Sequence, residues 1–215
     1  MIISPGRGYI FVHIPKTGGT AMALALESRA MKGDILIGDT PKAKRRKNRL
    51  KNVASAGRLW KHASLTDIPG VVTQEQIDRS FVFTLVRNPW DRMVSYYHWL
   101  RMQTFDHPVV PLARDLSFDD FLAHRDVQAG LRANPVFRYI TLADGREHCA
   151  AYVRLEHLEQ DLAPVEAHLG FSLSDMPEAN QSPRDADYRT YYSDSGRALI
   201  SDLFQAEITR FAYRF

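Results

Sequence analysis

The sequence predicts an α/β fold: a single domain over residues 1–215, built as a three-layer sandwich with a central parallel sheet. Three observations carry that expectation. Residues 9–12, 80–86 and 151–155 are short, nearly continuous apolar runs, as strands buried on both faces are. Longer stretches of helix formers lie between and after these runs, so strands and helices alternate along the chain. No linker or internal repeat divides the 215 residues, a length that one hydrophobic core can serve.

The first apolar run, Tyr9-Ile10-Phe11-Val12, leads through His13 and Ile14 into Pro15-Lys16-Thr17-Gly18-Gly19-Thr20 and then into the helix formers of 21–26. The pattern is strand, tight polar loop, helix, with the helix expected over about 17–31. Two glycines let the backbone turn inward, and the first amides of a helix have no partner within it. Lys16 adds a full charge, and Thr17 and Thr20 add hydroxyls, so the loop reads as an anion cradle. It is not the triphosphate loop, in which the lysine follows the glycines. Here Lys16 precedes them, which makes an ATP-dependent kinase the second reading.

Residues 35–38 could form a short strand. Residues 42–51 then hold seven basic side chains and no acid, while the whole chain carries a net charge of only +3. The remainder is therefore about −4, and the basic character is local. A nucleic-acid-binding face would spread its charge more widely. The run reads either as a solvated helix or loop, or as a collar for an anionic substrate or surface. A non-catalytic module docking through it is the third reading.

His62 falls in a turn between elements, within Trp60-Lys61-His62-Ala63-Ser64. Thr73 to Gln76 has the form of a capping box for a short helix to about Asp78. The run 80–86 ends in Arg87-Asn88-Pro89-Trp90, and Pro89 suits the first turn of a helix. Arg87 thus stands at the carboxyl end of a strand, where open α/β sheets bind ligands. Its planar fork suits a phosphate, and Ser95, on the helix that follows, can add a hydroxyl bond. Asp91 and Arg92 suit a surface salt-bridge network. Further on, helices are expected from Ser117, over 156–169 with a stop at Gly170, and from Asp194 or Ser195 to about Phe211.

No apolar run approaches the ~18 residues of a membrane span. The first residues lack a signal-peptide pattern, and Cys149 is the one cysteine. The expectation is a cytoplasmic protein without a disulfide. The histidines show no metal-ligand spacing, and no metal is expected.

Two anion sites on the ends of two strands suit a ligand with two separate phosphate-like groups. Both motifs resemble those of sulfotransferases that use 3′-phosphoadenosine 5′-phosphosulfate (PAPS). Residues 15–20 look like their 5′-phosphosulfate loop, and 86–96 like their 3′-phosphate motif. Residues 60–64 are similar to the histidine segment of the carbohydrate-type branch. Residues 154–161 look like its Arg-aromatic-Glu-x-x-x-x-Asp stretch, with Leu155 in place of the aromatic. Residues 180–182 and 208–215 match the small bacterial members.

The resemblance implies a P-loop NTPase-like sulfotransferase fold and transfer of a sulfuryl group to a hydroxyl or amine. The acceptor would be a carbohydrate, a lipid or a small molecule. PAPS would be the donor and 3′-phosphoadenosine 5′-phosphate (PAP) the product. Lys16 would stabilise the leaving phosphate. Thr17, Gly18, Gly19 and Thr20 would hold the 5′-phosphate, and Arg87 and Ser95 the 3′-phosphate. His62 would be the base, with Glu156 in reserve. Arg154, Asn180, Ser182 and Arg184 would line the cofactor or acceptor side. Lys and Arg would neutralise the donor in place of a metal.

Overall fold

The structure, a computed structural model, describes residues 1–173, 176–177 and 184–215. In chain order it begins with β1 (Ile2–Ser4), β2 (Tyr9–Val12), α1 (Gly19–Ser28), β3 (Ile35–Leu36), α2 (Pro41–Arg46), α3 (Gln74–Arg79) and β4 (Phe81–Val86). Then come α4 (Pro89–Arg101), α5 (Val109–Asp115), α6 (Phe118–Ala123) and α7 (Arg125–Ala133). The chain closes with β5 (Ala151–Arg154), α8 (Leu158–Asp161), α9 (Ala163–Leu169), α10 (Asp194–Leu203) and α11 (Gln205–Phe211). These fall into two compact units, Met1–Val86 with Val136–Ala179, and Arg87–Pro135 with Asn180–Phe215.

The first unit holds the sheet, in the order β3-β1-β2-β4-β5. The expected parallel strands are its right half: β2 pairs with β4 and β4 with β5, all parallel. The left half is an antiparallel extension, in which β1 pairs with β2 and with β3. The sheet is therefore mixed, with five strands flanked by helices. β1 is three residues long and directly precedes a turn at 5–8, so its apolar Ile2-Ile3 is too short to announce a strand.

Alternation sorts the side chains. Tyr9, Phe11, Phe83, Leu85 and Val153 point to one face and pack with Met22 and Leu26 of α1 and with Val165 and Leu169 of α9. Ile10, Val12, Val82 and Val86, on the other face, are also at most 1% exposed. Both faces being buried explains the near-continuous apolar runs. In register, Val12 stands opposite Thr84, so the chain leaves β2 and β4 at the same end of the sheet.

The second unit is helical around its own core. Trp90, Val94 and Tyr97 of α4 pack with Val110, Phe118, Phe121, Ile200 and Phe204. Helix ends follow local chemistry. Thr73 and Gln76 form the capping box expected for α3. Asn88 caps α4, with Pro89 in its first turn, and Ser193 caps α10. The helix expected over 156–169 is a 3-10 turn at Leu155–His157 followed by α8 and α9, with Pro164 at the start of α9 and Gly170 left-handed after it. The last expected helix likewise breaks at Phe204 into α10 and α11.

Candidate active site

The loop after β2 is wound more tightly than a plain βα turn. Lys16 sits at φ 65 and Gly18 at φ 84, so the left-handed region is visited twice within three residues. For lysine that conformation costs roughly 1–2 kcal/mol, a strain of the kind stored at functional sites. The helix begins at Gly19, two residues later than expected, because Gly18 is its N-cap. Gly18 offers no side-chain cap, and the first turn of α1 has no acidic residue. Its first amides and the positive end of its dipole are therefore left for an anion. Thr17 is fully buried and its hydroxyl donates to the Ile14 carbonyl at 2.9 Å. That hydroxyl braces the loop, where the sequence suggested it as a ligand, and its backbone amide is what it can offer.

The left-handed backbone calls for glycine at 18, and close packing calls for it at 19. A Cβ on Gly18 would lie 2.9 Å from Leu155 Cδ1, so Leu155, where the motif carries an aromatic, packs against the loop. A Cβ on Gly19 would lie 2.1 Å from His13 Cδ2 and 2.5 Å from His13 Nε2. His13, which the sequence marks only as a link between strand and loop, is the wall behind the loop. The pair of adjacent glycines was the signal that something must approach that closely.

His13 also meets His62. Their rings are 4.6 Å apart and tilted at 71°, and His62 Nδ1 lies 2.7 Å from the His13 carbonyl. A carbonyl only accepts, so Nδ1 carries the proton and Nε2 carries the lone pair. Burial holds the His62 pKa down to about 4, from an ordinary 6.5. The His13 hydrogen bond opposes that shift and Lys61 reinforces it. His62 is thus a neutral imidazole at pH 7, not the near-neutral titrator expected of an unperturbed one. Burial, with His62 beside it, likewise keeps His13 uncharged. Trp60, 41% exposed, stands perpendicular to the His62 ring at 5.0 Å, with Arg58 over it at 5.2 Å.

In the second unit, Arg87 presents its Nε and one terminal nitrogen to Asp91 Oδ2, at 2.9 and 2.8 Å. Arg184 donates to the other oxygen of Asp91 at 2.6 Å. One carboxylate thus orients two guanidiniums and leaves the trio with a net positive charge. All three side chains are 13–18% exposed. Ser95, one turn beyond Asp91 on α4, is 6% exposed. Among the described residues, two nitrogens here are buried without a hydrogen-bond partner: Arg184 Nη1 and His98 Nε2. Leaving such a donor unmet costs roughly 1–3 kcal/mol. Arg92, expected on the surface, is 5% exposed and faces Glu207 at 3.4 Å. It belongs to the framework of this unit.

Arg154 is also a framework group in part. Asp161 accepts from its Nε at 2.7 Å, from its Nη2 at 3.0 Å and from its backbone amide at 2.9 Å. Those bonds hold the Asp161 pKa below the usual carboxylate range. The Arg-to-Asp spacing of the motif therefore closes a clamp between the end of β5 and α8. Glu156 is exposed in the 3-10 turn between them. Asn180 and Ser182 lie outside the described residues. Among the described residues no cluster of His, Cys, Asp and Glu is placed to hold a metal ion, and no helix is long and apolar enough to cross a membrane.

A sequence model of the sulfotransferase family matches residues 1–214. The chain belongs to that family, and its chemistry is sulfuryl transfer. Among solved structures, mouse sulfotransferase SULT7A1 complexed with PAP is similar with a TM-score of 0.49 and 15% identity. That likeness covers 96% of this chain and 85% of the mouse chain. No curated protein matches the sequence.

Proposed function

We propose that residues 1–215 act as one PAPS-dependent sulfotransferase domain whose acceptor is a hydroxyl or amine of a carbohydrate, lipid or small molecule. The observation that carries the reading is the loop at 15–20. Its lysine is held left-handed, and it opens a helix whose first turn has neither a side-chain cap nor an acid. Those features fit a 5′-phosphosulfate, and Arg87 with Ser95 fits a 3′-phosphate. The donor, when bound, would supply the sulfuryl group, and the electron pair of the broken S–O bond would leave on the 5′-phosphate oxygen.

In this reading the backbone amides of Thr17, Gly18, Gly19 and Thr20 hold the 5′-phosphate. Lys16 places a cation where charge grows on the leaving phosphate, the kind of stabilisation that contributes most to such reactions. Arg87 and Ser95 fix the other end of the nucleotide. His62 Nε2 accepts the acceptor's proton while Nδ1 stays on the His13 carbonyl, so the ring starts in one neutral tautomer and becomes an imidazolium without turning.

Calorimetry with PAP tests the donor: tight binding is expected, and absence of binding by the folded chain overturns the proposal. Arg87→Ala should weaken PAP by tenfold or more, as expected for a lost charge-assisted contact of about 1.5–3 kcal/mol. Adenosine 5′-phosphate, which lacks the 3′-phosphate, should hardly change. His62→Ala should keep PAP binding while lowering kcat by roughly 10²–10⁴-fold. A donor-dependent sulfation screen over sugars, lipids, phenols and amines identifies the acceptor.

A further inference from the structure

Asp91, Ser95 and His98 are spaced by four and three residues on α4, so they line one stripe of that helix. Arg184 reaches the same stripe through its 2.6 Å bond to Asp91. The stripe ends in the two orphaned nitrogens, Arg184 Nη1 and His98 Nε2. The half-buried His98 ring stands edge-on to the rings of Tyr97 and Tyr191, at 5.4 and 5.1 Å, and its Nε2 is the buried end. Arg101, the next basic residue on the helix, is turned to the Tyr97 hydroxyl at 3.2 Å.

We infer that His98 is a further donor-binding residue, which with Arg184 donates to the 3′-phosphate alongside Arg87 and Ser95. The inference rests on the donor proposed above. Packing alone gives no reason to bury either nitrogen without a partner. Leucine or phenylalanine would fill the His98 position more cheaply. A phosphate gives a reason: its three terminal oxygens accept several charge-assisted bonds at once. Asp91 cannot take that role, since each of its oxygens already accepts from an arginine. Neutral His98 has one N–H, and in the Nε2–H tautomer it points that proton at the ligand. No motif advertises the residue. Residue 98 lies beyond the 86–96 stretch, and its role follows only from the orphaned nitrogen.

The test compares the affinities of the full chain for PAP and for adenosine 5′-phosphate, which differ by the 3′-phosphate alone. His98→Phe keeps a planar ring and removes the donor. It is expected to weaken PAP by about tenfold or more and leave adenosine 5′-phosphate unchanged. His98→Gln restores an amide nitrogen at the Nε2 position and should stay within about threefold of wild type for PAP. Should the Phe variant not fold, His98→Asn replaces it, since its amide reaches only the Nδ1 position and should lose PAP to the same extent. A folded donor-less variant that binds PAP within about twofold of wild type overturns the inference. So do equal losses for both nucleotides, which would mark His98 as packing. A wild-type chain that binds the two nucleotides equally overturns the donor proposal itself.

Discussion

Gly19 and His13 meet across a gap that admits no methyl group, and His13 in turn holds His62 through its carbonyl. A change at the loop should therefore be felt at the base. Gly19→Ala forces a buried imidazole to move, an overpacking that costs about 1–3 kcal/mol. It should lower both the denaturation midpoint and PAP affinity. Combining it with His13→Ala should recover stability relative to Gly19→Ala alone, a coupling that a double-mutant cycle reads directly. Strictly additive losses would show that the two residues do not share the space. For His62 the sign is fixed by burial. The base must be unprotonated, and its pKa is held near 4. The acid limb of kcat/KM assigned to it should fall at about pH 4, and activity should be flat through pH 6.5. A limb centred at 6.5 would mean that His62 is solvated in the working enzyme or is not the base. A weaker base also favours proton removal concerted with S–O bond formation, since it cannot deprotonate a hydroxyl beforehand.

Among the elements, the basic run does structural work at the end of α1. Thr40 caps α2, and its hydroxyl donates to the Glu27 carboxylate, tying the helix to α1. Lys42 donates to the Glu27 carbonyl, Arg46 to the carbonyls of Met31 and Asp34, and Arg49 to that of Lys32. Three of the seven charges thus satisfy carbonyls at and beyond the end of α1, where cations also suit the dipole. Lys44, Arg45, Lys47 and Lys51 are exposed. Reversing those four to Glu should leave the unfolding midpoint and PAP affinity nearly unchanged, and should abolish any binding to anionic vesicles. Deleting the whole run would not be a clean test, because it strips α1 of its partners. A second element-scale prediction concerns the clamp at the end of β5. Asp161→Asn should destabilise the fold by roughly 1–3 kcal/mol, since it weakens two bonds to a guanidinium and one to an amide. Chemical denaturation measures it. The clamp contributes fully above the ordinary carboxylate pKa and is lost as pH falls through the depressed one.

For the whole molecule, a donor that binds only the folded chain must stabilise it by mass action. PAP at a hundred times its Kd adds about 2.7 kcal/mol, or roughly 5–10 °C of melting temperature for a chain of this size. Adenosine 5′-phosphate at the same concentration should give less, and His98→Phe should bring the PAP shift down toward it. The sequence by itself determined the parallel strands, the glycine loop between β2 and α1, the proline-started α4 and the caps of α3 and α6. Each of these is written in residues near one another along the chain: apolar runs, Gly, Pro, and hydroxyls three residues ahead of an amide. The same local chemistry singled out Lys16, Arg87 and Ser95. Only the tertiary structure decided the rest. β1 is a strand because two partners supply the hydrogen bonds that three residues cannot make alone. His13 backs Gly19, Arg184 reaches Asp91 across 93 residues, and His98 keeps a buried nitrogen unmatched. Burial moves His62 from an ordinary imidazole to a neutral one. Those outcomes depend on which groups from distant parts of the chain exclude water around a side chain, and hydration is not a property that adjacent residues encode.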